Sequence, residues 1–481
     1  MLNTFKLISI CSVLWFHLVS CGNQNIDEPY EPPTKDTTST LQPNVNTYLT
    51  LANQTQKLAK QESYVTTYNS NLKTIEIDTN SQLQTMDGFG FALTGGSALH
   101  INSMSISARK GLLDELFAAT PKGIGLSFIR VSLGASDLDA SPFSYADTPN
   151  DEPDLELNSF SIAKDQENLI PVLKEILAIN PDVKIMASPW SPPVWMKTNQ
   201  SSKGGQLATA YYEVYAQYFV RYIQAMQSEG INIEFITIQN EPLHPGNNPS
   251  LSMSASEQAK FLGENRGPAF EAEGIDTKIL LYDHNPDRID YPLEVLKDTK
   301  ANKYAYGSAF HLYAGQVSAL SQVYSQFPDK HIYFTEQWYG APGNFSNDLR
   351  WHTREVIVGA TRNWSRSIIE WNLTSNPQLE PHTDGGCDKC LGAITLDGDK
   401  IIRNAGYYII GHISSFVAAN SKRINSNFFN ELPNVAFINP KGQKTLIVLN
   451  DSDNSQEFSV SEGEIQFSAT LDAGAVATFY W

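Results

Sequence analysis

Two glutamates stand where a strand pattern stops. Phe235-Ile236-Thr237-Ile238-Gln239 is an apolar, β-branched run that ends at Asn240-Glu241-Pro242, and His331-Ile332-Tyr333-Phe334-Thr335 ends at Glu336. β-Branched and aromatic residues favour the pleat, and Pro242 cannot continue a ladder of hydrogen bonds. Each carboxylate is therefore delivered at the end of a strand. The chain between them has room for several strand–helix units. On one parallel barrel the two would face the same mouth, because functional groups collect at the C-terminal ends of barrel strands. Two carboxyls so placed can serve as acid/base and nucleophile on one bond, which is the chemistry of glycoside hydrolysis. Either glutamate alone reads equally well as a helix cap or a solvated ion pair. The matched settings favour the paired reading.

The elements that would position them alternate between two periodicities. Strand patterns occur near Met86–Leu93, Ser127–Leu133, Lys184–Ser188, Glu234–Gln239, Lys278–Asp283, Ser308–Leu312, Ile332–Glu336 and Ser367–Asn372. Helical periodicity intervenes at about Ser105–Phe117, Lys164–Ile179, Leu207–Glu229, Ser254–Glu273, Gln316–Gln326 and Leu349–Asn363, with Asn404–Ala419 as a closing helix. Eight strands with helices between them predict a (β/α)₈ TIM barrel over residues 86–420. Beyond it, short strands at Ala436–Asn439, Thr445–Leu449, Glu457–Val460 and Ala475–Tyr480 are separated by Gly, Asn, Asp and Pro turns. Residues 421–481 therefore predict a β-sandwich, and the alternating strands of 61–85 are expected to join it from the other flank.

Composition bounds the rest. With 52 acidic against 34 basic residues the net charge is −18, and no basic patch reverses it, which excludes a phosphate-backbone partner. The first residues read as an export signal over 1–20: a positive start at Lys6, an apolar run Leu7–Val19, then Leu18-Val19-Ser20-Cys21-Gly22. That ending looks like a bacterial lipobox. It predicts a lipidated Cys21 and an exported protein anchored to a membrane, at the periplasm or cell surface; an ordinary secretory signal with an incidental Cys is the alternative. The polar, Pro- and Thr-rich stretch after it predicts a flexible spacer over 21–60. Among the later residues only Cys387 and Cys390 remain. A lone Cys-x-x-Cys reads as a redox pair or half a zinc site; no second pair completes the latter, and in an exported chain a local disulfide is the plainer expectation.

With these stretches placed, the chain resembles glycoside hydrolase family 30, the glucosylceramidase-like retaining enzymes. The resemblance rests on Asp87-Gly88-Phe89-Gly90, Phe128-Ile129-Arg130-Val131, the run Ser188-Pro189-Trp190-Ser191-Pro192-Pro193-Val194-Trp195-Met196-Lys197 and Asn240-Glu241-Pro242. It continues through His311-Leu312-Tyr313, Phe334-Thr335-Glu336 and Glu370-Trp371-Asn372. It implies Glu241 as acid/base and Glu336 as nucleophile, with no metal and no organic cofactor. It implies that Asn240 meets the sugar 2-hydroxyl, that Asp137, Trp190 and Trp371 line the sugar pocket, and that Arg130 and Tyr313 support the nucleophile. Arg130 reads equally as a buried structural ion pair, and His311 as a satisfied core histidine. Trp195 and Trp338 either wall a subsite or pack.

The substrate expected is a β-glucan or β-glucoside. The segment His382–Cys390 departs from the glucosylceramidase form and looks closer to bacterial β-1,6-glucanases. Alternatives within the family act on glucosylceramide, xylan or fucosides. Outside enzymes, a catalytically silent surface glycan-binding lipoprotein is the rival.

Overall fold

The computed structural model describes residues 44–481. The expected signal segment, Cys21 and the first part of the spacer lie outside the described residues. Eight parallel strands close into a barrel: β1 (Gly88–Ala92), β2 (Phe128–Leu133), β3 (Lys184–Pro189), β4 (Phe235–Thr237), β5 (Lys278–His284), β6 (Ala305–His311), β7 (His331–Glu336) and β8 (Ser365–Asn372). β8 pairs back onto β1, with Ile369 opposite Gly90, so the sheet has no free edge. All eight expected strands are found.

The side-chain period of two along a strand sorts the barrel interior into layers. Phe128, Met186, Phe235, Leu280, Ala309, Tyr333 and Ile369, one from each of β2 to β8, pack as one fully buried cluster. Burying each large member contributes about 1.5–3 kcal/mol. Two residues further along the same strands come Arg130, Ser188, Thr237, His311, Thr335 and Trp371. A hydrophobic floor thus holds a polar layer at the C-terminal mouth.

Most helices fall where periodicity placed them, with breaks. The Ser254–Glu273 pattern begins with a capping box between Ser254 and Glu257, then runs as Ala255–Phe261, a π-turn at Leu262–Arg266 and Gly267–Ala272. The Leu349–Asn363 pattern divides into Phe345–Trp351 and a π-helix at His352–Ala360. Among the described residues, no helix is long and apolar enough to cross a membrane.

The flanks build one nine-stranded sheet that folds over around the long strand Thr74–Thr85. That strand pairs antiparallel with Lys422–Ser426 and, through Thr74–Glu76, parallel with Gln456–Glu462. Folding over brings Phe467 to 5.3 Å from Phe479, ring centre to ring centre, across the sandwich core. Alternation along single strands serves two interiors: Leu446 and Val448 face the sandwich core, while Ile447 and Leu449 pack with the barrel.

One boundary differs from expectation. The spacer does not run to residue 60, because Asn46–Thr50 and Ala59–Gln61 are strands of this sheet. Thr47 sits opposite Phe479 on the last strand, Val476–Tyr480. Partnering, not local hydrophobicity, makes Asn46–Thr50 a strand, since its Asn and Thr residues look like linker. The expected strand at Tyr64–Tyr68 reduces to one bridge between Thr66 and Ser468.

Candidate active site

Glu336 ends β7 and Glu241 follows β4, and both arrive at the same mouth. One carboxylate oxygen of each, with one His311 nitrogen, lie within 4.8 Å of one another. Above them is a cavity of about 260 Å³. Asp137, Trp190, Asn240, Glu241, Tyr313, Glu336 and Trp371 all line it, so the structure brings the expected binding residues together. Trp338 also lines it, whereas Trp195 is buried elsewhere, its indole N–H donating to the Ala146 carbonyl at 2.9 Å.

The layer beneath is a network of buried charges. Arg130, fully buried, donates through Nη1 to Glu336 Oε2 at 2.5 Å and through Nη2 to Asn240 Oδ1 at 2.7 Å and Asp283 Oδ2 at 2.9 Å. The Tyr313 hydroxyl donates to Glu336 Oε1 at 3.0 Å. His311 places Nδ1 at 3.0 Å from Glu241 and Nε2 at 3.1 Å from Asp283. Arg130 and His311 are therefore parts of the site and not remote core residues.

Asp283 is the residue that sequence reasoning missed. Each of its oxygens has two donors: Oδ1 takes Thr335 Oγ1 at 2.7 Å and His311 at 3.1 Å, and Oδ2 takes Arg130 at 2.9 Å and Ser188 Oγ at 3.1 Å. The β5 pattern that puts Leu280 inside would put Tyr282 inside next. Instead Tyr282 and Asp283 both adopt left-handed backbone with positive φ, the register shifts, and Asp283 turns inward. Glu241 is left-handed too, and its N–H donates to the Asp283 carbonyl at 3.0 Å. For a residue with a Cβ that conformation costs about 1–2 kcal/mol. Strain of this kind persists only where the surroundings over-determine it, as this network does.

Electrostatics follow from this crowding. Burial pushes His311 down, but the Glu336 charge and the hydrogen bonds to Asp283 and Glu241 win and lift it to about 10. The imidazole thus bridges Glu241 and Asp283 as a double donor. Burial pushes Asp283 up, and Arg130 and His311 outweigh it, so Asp283 stays ionised. For Glu241 burial is outweighed by His311, with His284 and His244 adding to it, and the carboxyl sits below its ordinary value. For Glu336 burial and the neighbouring Glu241 and Asp283 charges outweigh His311 and Arg130, and the carboxyl sits above it. Asp137, raised to about 7 by burial and then by the Glu336 charge, accepts the Cys387 N–H at 3.2 Å. Cys387 and Cys390 are joined by a disulfide at the rim of the cavity, the plainer of the readings their sequence left open.

Two family models match the chain. The glycosyl hydrolase family 30 TIM-barrel domain covers residues 86–417, and the family 30 β-sandwich domain covers 420–479. An endo-1,6-β-D-glucanase of Aspergillus fumigatus is 32% identical over 414 residues, 81% of this chain and 83% of that protein. The lysosomal acid glucosylceramidase of Mus musculus is 27% identical over 440 residues, 85% of this chain and 83% of that protein. Among solved structures, the endo-β1,6-glucanase BT3312 superposes with a TM-score of 0.83 at 34% identity, covering 91% of this chain and 98% of that one. Barrel, sandwich and motifs agree, and the chain is a glycosidase belonging to glycoside hydrolase family 30.

Proposed function

We propose that this glycosidase hydrolyses β-1,6-linked glucan with retention of configuration, Glu336 acting as nucleophile and Glu241 as acid and then base. The observation that carries the reading is the approach of the two carboxylates to within 4.8 Å. Retaining enzymes hold their carboxyls about 5–5.5 Å apart; inverting ones leave about 6.5–9.5 Å for a water. Glu336 attacks the anomeric carbon while Glu241 protonates the departing oxygen. Glu241 then takes a proton from the water that releases the sugar.

The neighbours fit these roles. Asn240 gives Oδ1 to Arg130. That leaves its NH₂ as the group free to donate to the sugar 2-hydroxyl. Trp190 and Trp371 stand with ring centres 5.4 Å apart. Their indoles offer apolar faces to a sugar ring. Asp137 supplies an acceptor for outer hydroxyls.

Glu336 sits above its ordinary value and Glu241 below it, and attack needs the opposite order. A bound glycoside resolves this: its leaving oxygen gives Glu241 an acceptor for a proton, while Arg130 and Tyr313 stay on Glu336 as donors to its anion. Binding should therefore raise Glu241 and lower Glu336. The pH profile of kcat/KM, which reports the free enzyme, and that of kcat, which reports the complex, should then differ.

Three observations support β-1,6-glucan: the sequence relatives named for that activity, the solved endo-glucanase, and the rim segment around Cys387–Cys390. A site that binds a hydroxyl through Asp137 discriminates against sugars lacking it, so β-glucosides are preferred over β-xylosides. The test is kcat/KM on β-1,6-gluco-oligosaccharides, xylo-oligosaccharides and glucosylceramide, with proton NMR of the first anomer released. An initial α-anomer refutes the mechanism, and preference for either other substrate refutes the specificity.

The sequence also supports a lipid anchor at Cys21, holding the exported enzyme at a membrane. Cys21→Ala should release a soluble exported form; retention on the membrane would disprove the anchor.

A further inference from the structure

A second depression opens on the same face of the barrel. It measures about 380 Å³, against about 260 Å³ for the catalytic cavity. Phe143 and Asp147 come from the loop after β2, Pro192, Gln200 and Ser202 from the loop after β3, and Pro249 from the loop after β4. The two spaces share these loops. Trp190 lines one and Pro192 the other; Asn247 lines one and Pro249 the other. The depression is built from the loops after β2, β3 and β4, the last of which carries Glu241, whereas Glu336 ends β7.

We propose that this depression seats a further glucose unit of the substrate chain, on the leaving-group side of the cleaved bond. The inference rests on the hydrolase reading above and adds where the rest of the polymer goes. The leaving sugar departs from the oxygen that Glu241 protonates, so chain beyond it runs toward the loops after β3 and β4. The lining suits a neutral, hydroxyl-rich ligand. Half-buried Phe143 presents apolar surface to the C–H face of a pyranose above a floor of buried Pro192 and Pro249, and Asp147, Gln200 and Ser202 offer acceptors and donors to its edge. Carboxylates at Asp147 and Asp151 disfavour a phosphorylated or sulfated ligand.

The wall is also stiffened from behind. Lys197, 3% exposed and with no ion-pair partner among the described residues, donates to Ser191 Oγ at 2.9 Å, the Ser202 carbonyl at 3.0 Å and the Ser250 carbonyl at 2.6 Å. Burying a lysine on neutral oxygens is costly, and it lowers the ammonium to about 7. What it secures is the register of the loops after β3 and β4. Ser202 Oγ adds a bond across them, donating to Asn248 Oδ1 at 2.8 Å. A preformed wall loses less ordering entropy when a flexible chain binds.

The experiment measures kcat/KM for the full chain on an aryl β-glucoside and on β-1,6-linked gluco-oligosaccharides of two to six units, for the natural enzyme and for Phe143→Ala and Gln200→Ala. The natural enzyme should gain kcat/KM as the chain lengthens. Each variant should cut the ratio of longest to shortest substrate by about fivefold to tenfold, mainly through KM. The ratio is internal to each protein and is unaffected by partial unfolding. A flat length dependence in the natural enzyme overturns the proposal, as do variants that lower every substrate equally. Turnover of the aryl β-glucoside with none of any β-1,6-oligosaccharide would overturn the substrate reading first and this proposal with it.

Discussion

The barrel buries a cluster of charges at each end, and the two ends are composed differently. At the strand starts, Asp87 accepts from Lys184 at 2.8 Å, Arg366 at 2.7 Å and the Tyr333 hydroxyl at 2.7 Å. One carboxylate meets two cations. At the strand ends, four carboxyls, Glu241, Glu336, Asp283 and Asp137, gather about Arg130 and His311. Burial raises Asp87, but Arg366 and Lys184 outweigh it and bring it down to about 2. Burial and the Glu336 charge instead lift Asp137 to about 7. A cluster with cations to spare stays ionised and holds the barrel shut. A cluster with carboxylates to spare must keep protons near neutral pH, and movable protons are what acid/base chemistry uses.

The contrast can be broken from either end, and the largest effects should come from the mouth. Glu336→Ala should lower kcat by a factor on the order of 10⁴–10⁶ on every substrate. Glu241→Ala should cost about 10²–10⁴ on glucan and far less on aryl glucosides with good leaving groups. The Glu336 carboxyl is raised by burial and its like-charged neighbours, so Glu336→Ala should leave the melting temperature unchanged. Equal losses of Glu241→Ala on both substrate classes would reject its role as acid.

Asp87→Asn should do the opposite. It removes the carboxylate shared by half-buried Lys184 and Arg366 and should cost about 1–3 kcal/mol of stability by denaturant titration while kcat is retained. A kcat loss without instability would erase the distinction between the ends.

Asp283→Asn tests the link between the two cations and the two glutamates. That charge is one of those holding the Glu336 carboxyl up, and Arg130 is left less compensated without it. The Glu336 carboxyl should fall, so the acidic limb of kcat/KM should move to lower pH, with a loss of about 10–100-fold at the peak as Arg130 and His311 lose a shared anchor. His244, His284, Tyr313 and Asp137 face the same space and are unaltered by the change. An unshifted bell would make Asp283 a packing residue.

The smallest effect is in stability against pH. Asp87 has a depressed folded pKa, so its contribution is present above about pH 4 and is lost as pH falls toward about 2. Asp137 has a raised one, so folding weakens as pH climbs from about 4 to about 7. Melting curves should show Asp137→Asn flattening the upper window and Asp87→Asn the lower one.

The parts that sequence revealed are those obeying a simple period. Strand-end glutamates, eight strands, and inward Arg130, His311 and Trp371 follow from alternation and from motifs. Asp283 breaks alternation by two left-handed residues, and nothing in Leu280-Leu281-Tyr282-Asp283-His284 announces the break. The π-turns at Leu262–Arg266 and His352–Ala360 were hidden because they keep a helical repeat. The strand Asn46–Thr50 was hidden because its partner lies at the other end of the chain.

That strand has a mechanical meaning. Asn46–Thr50 lies between Ala59–Gln61 and Val476–Tyr480, hydrogen-bonded on both edges. Any pull arriving along the chain from before residue 44 is taken first by those antiparallel bonds, in the sandwich sheet. The barrel strands and the spacing of Glu241 and Glu336 lie beyond that point. A force entering through Asn46–Thr50 would be borne at the sandwich edge before the catalytic geometry felt it.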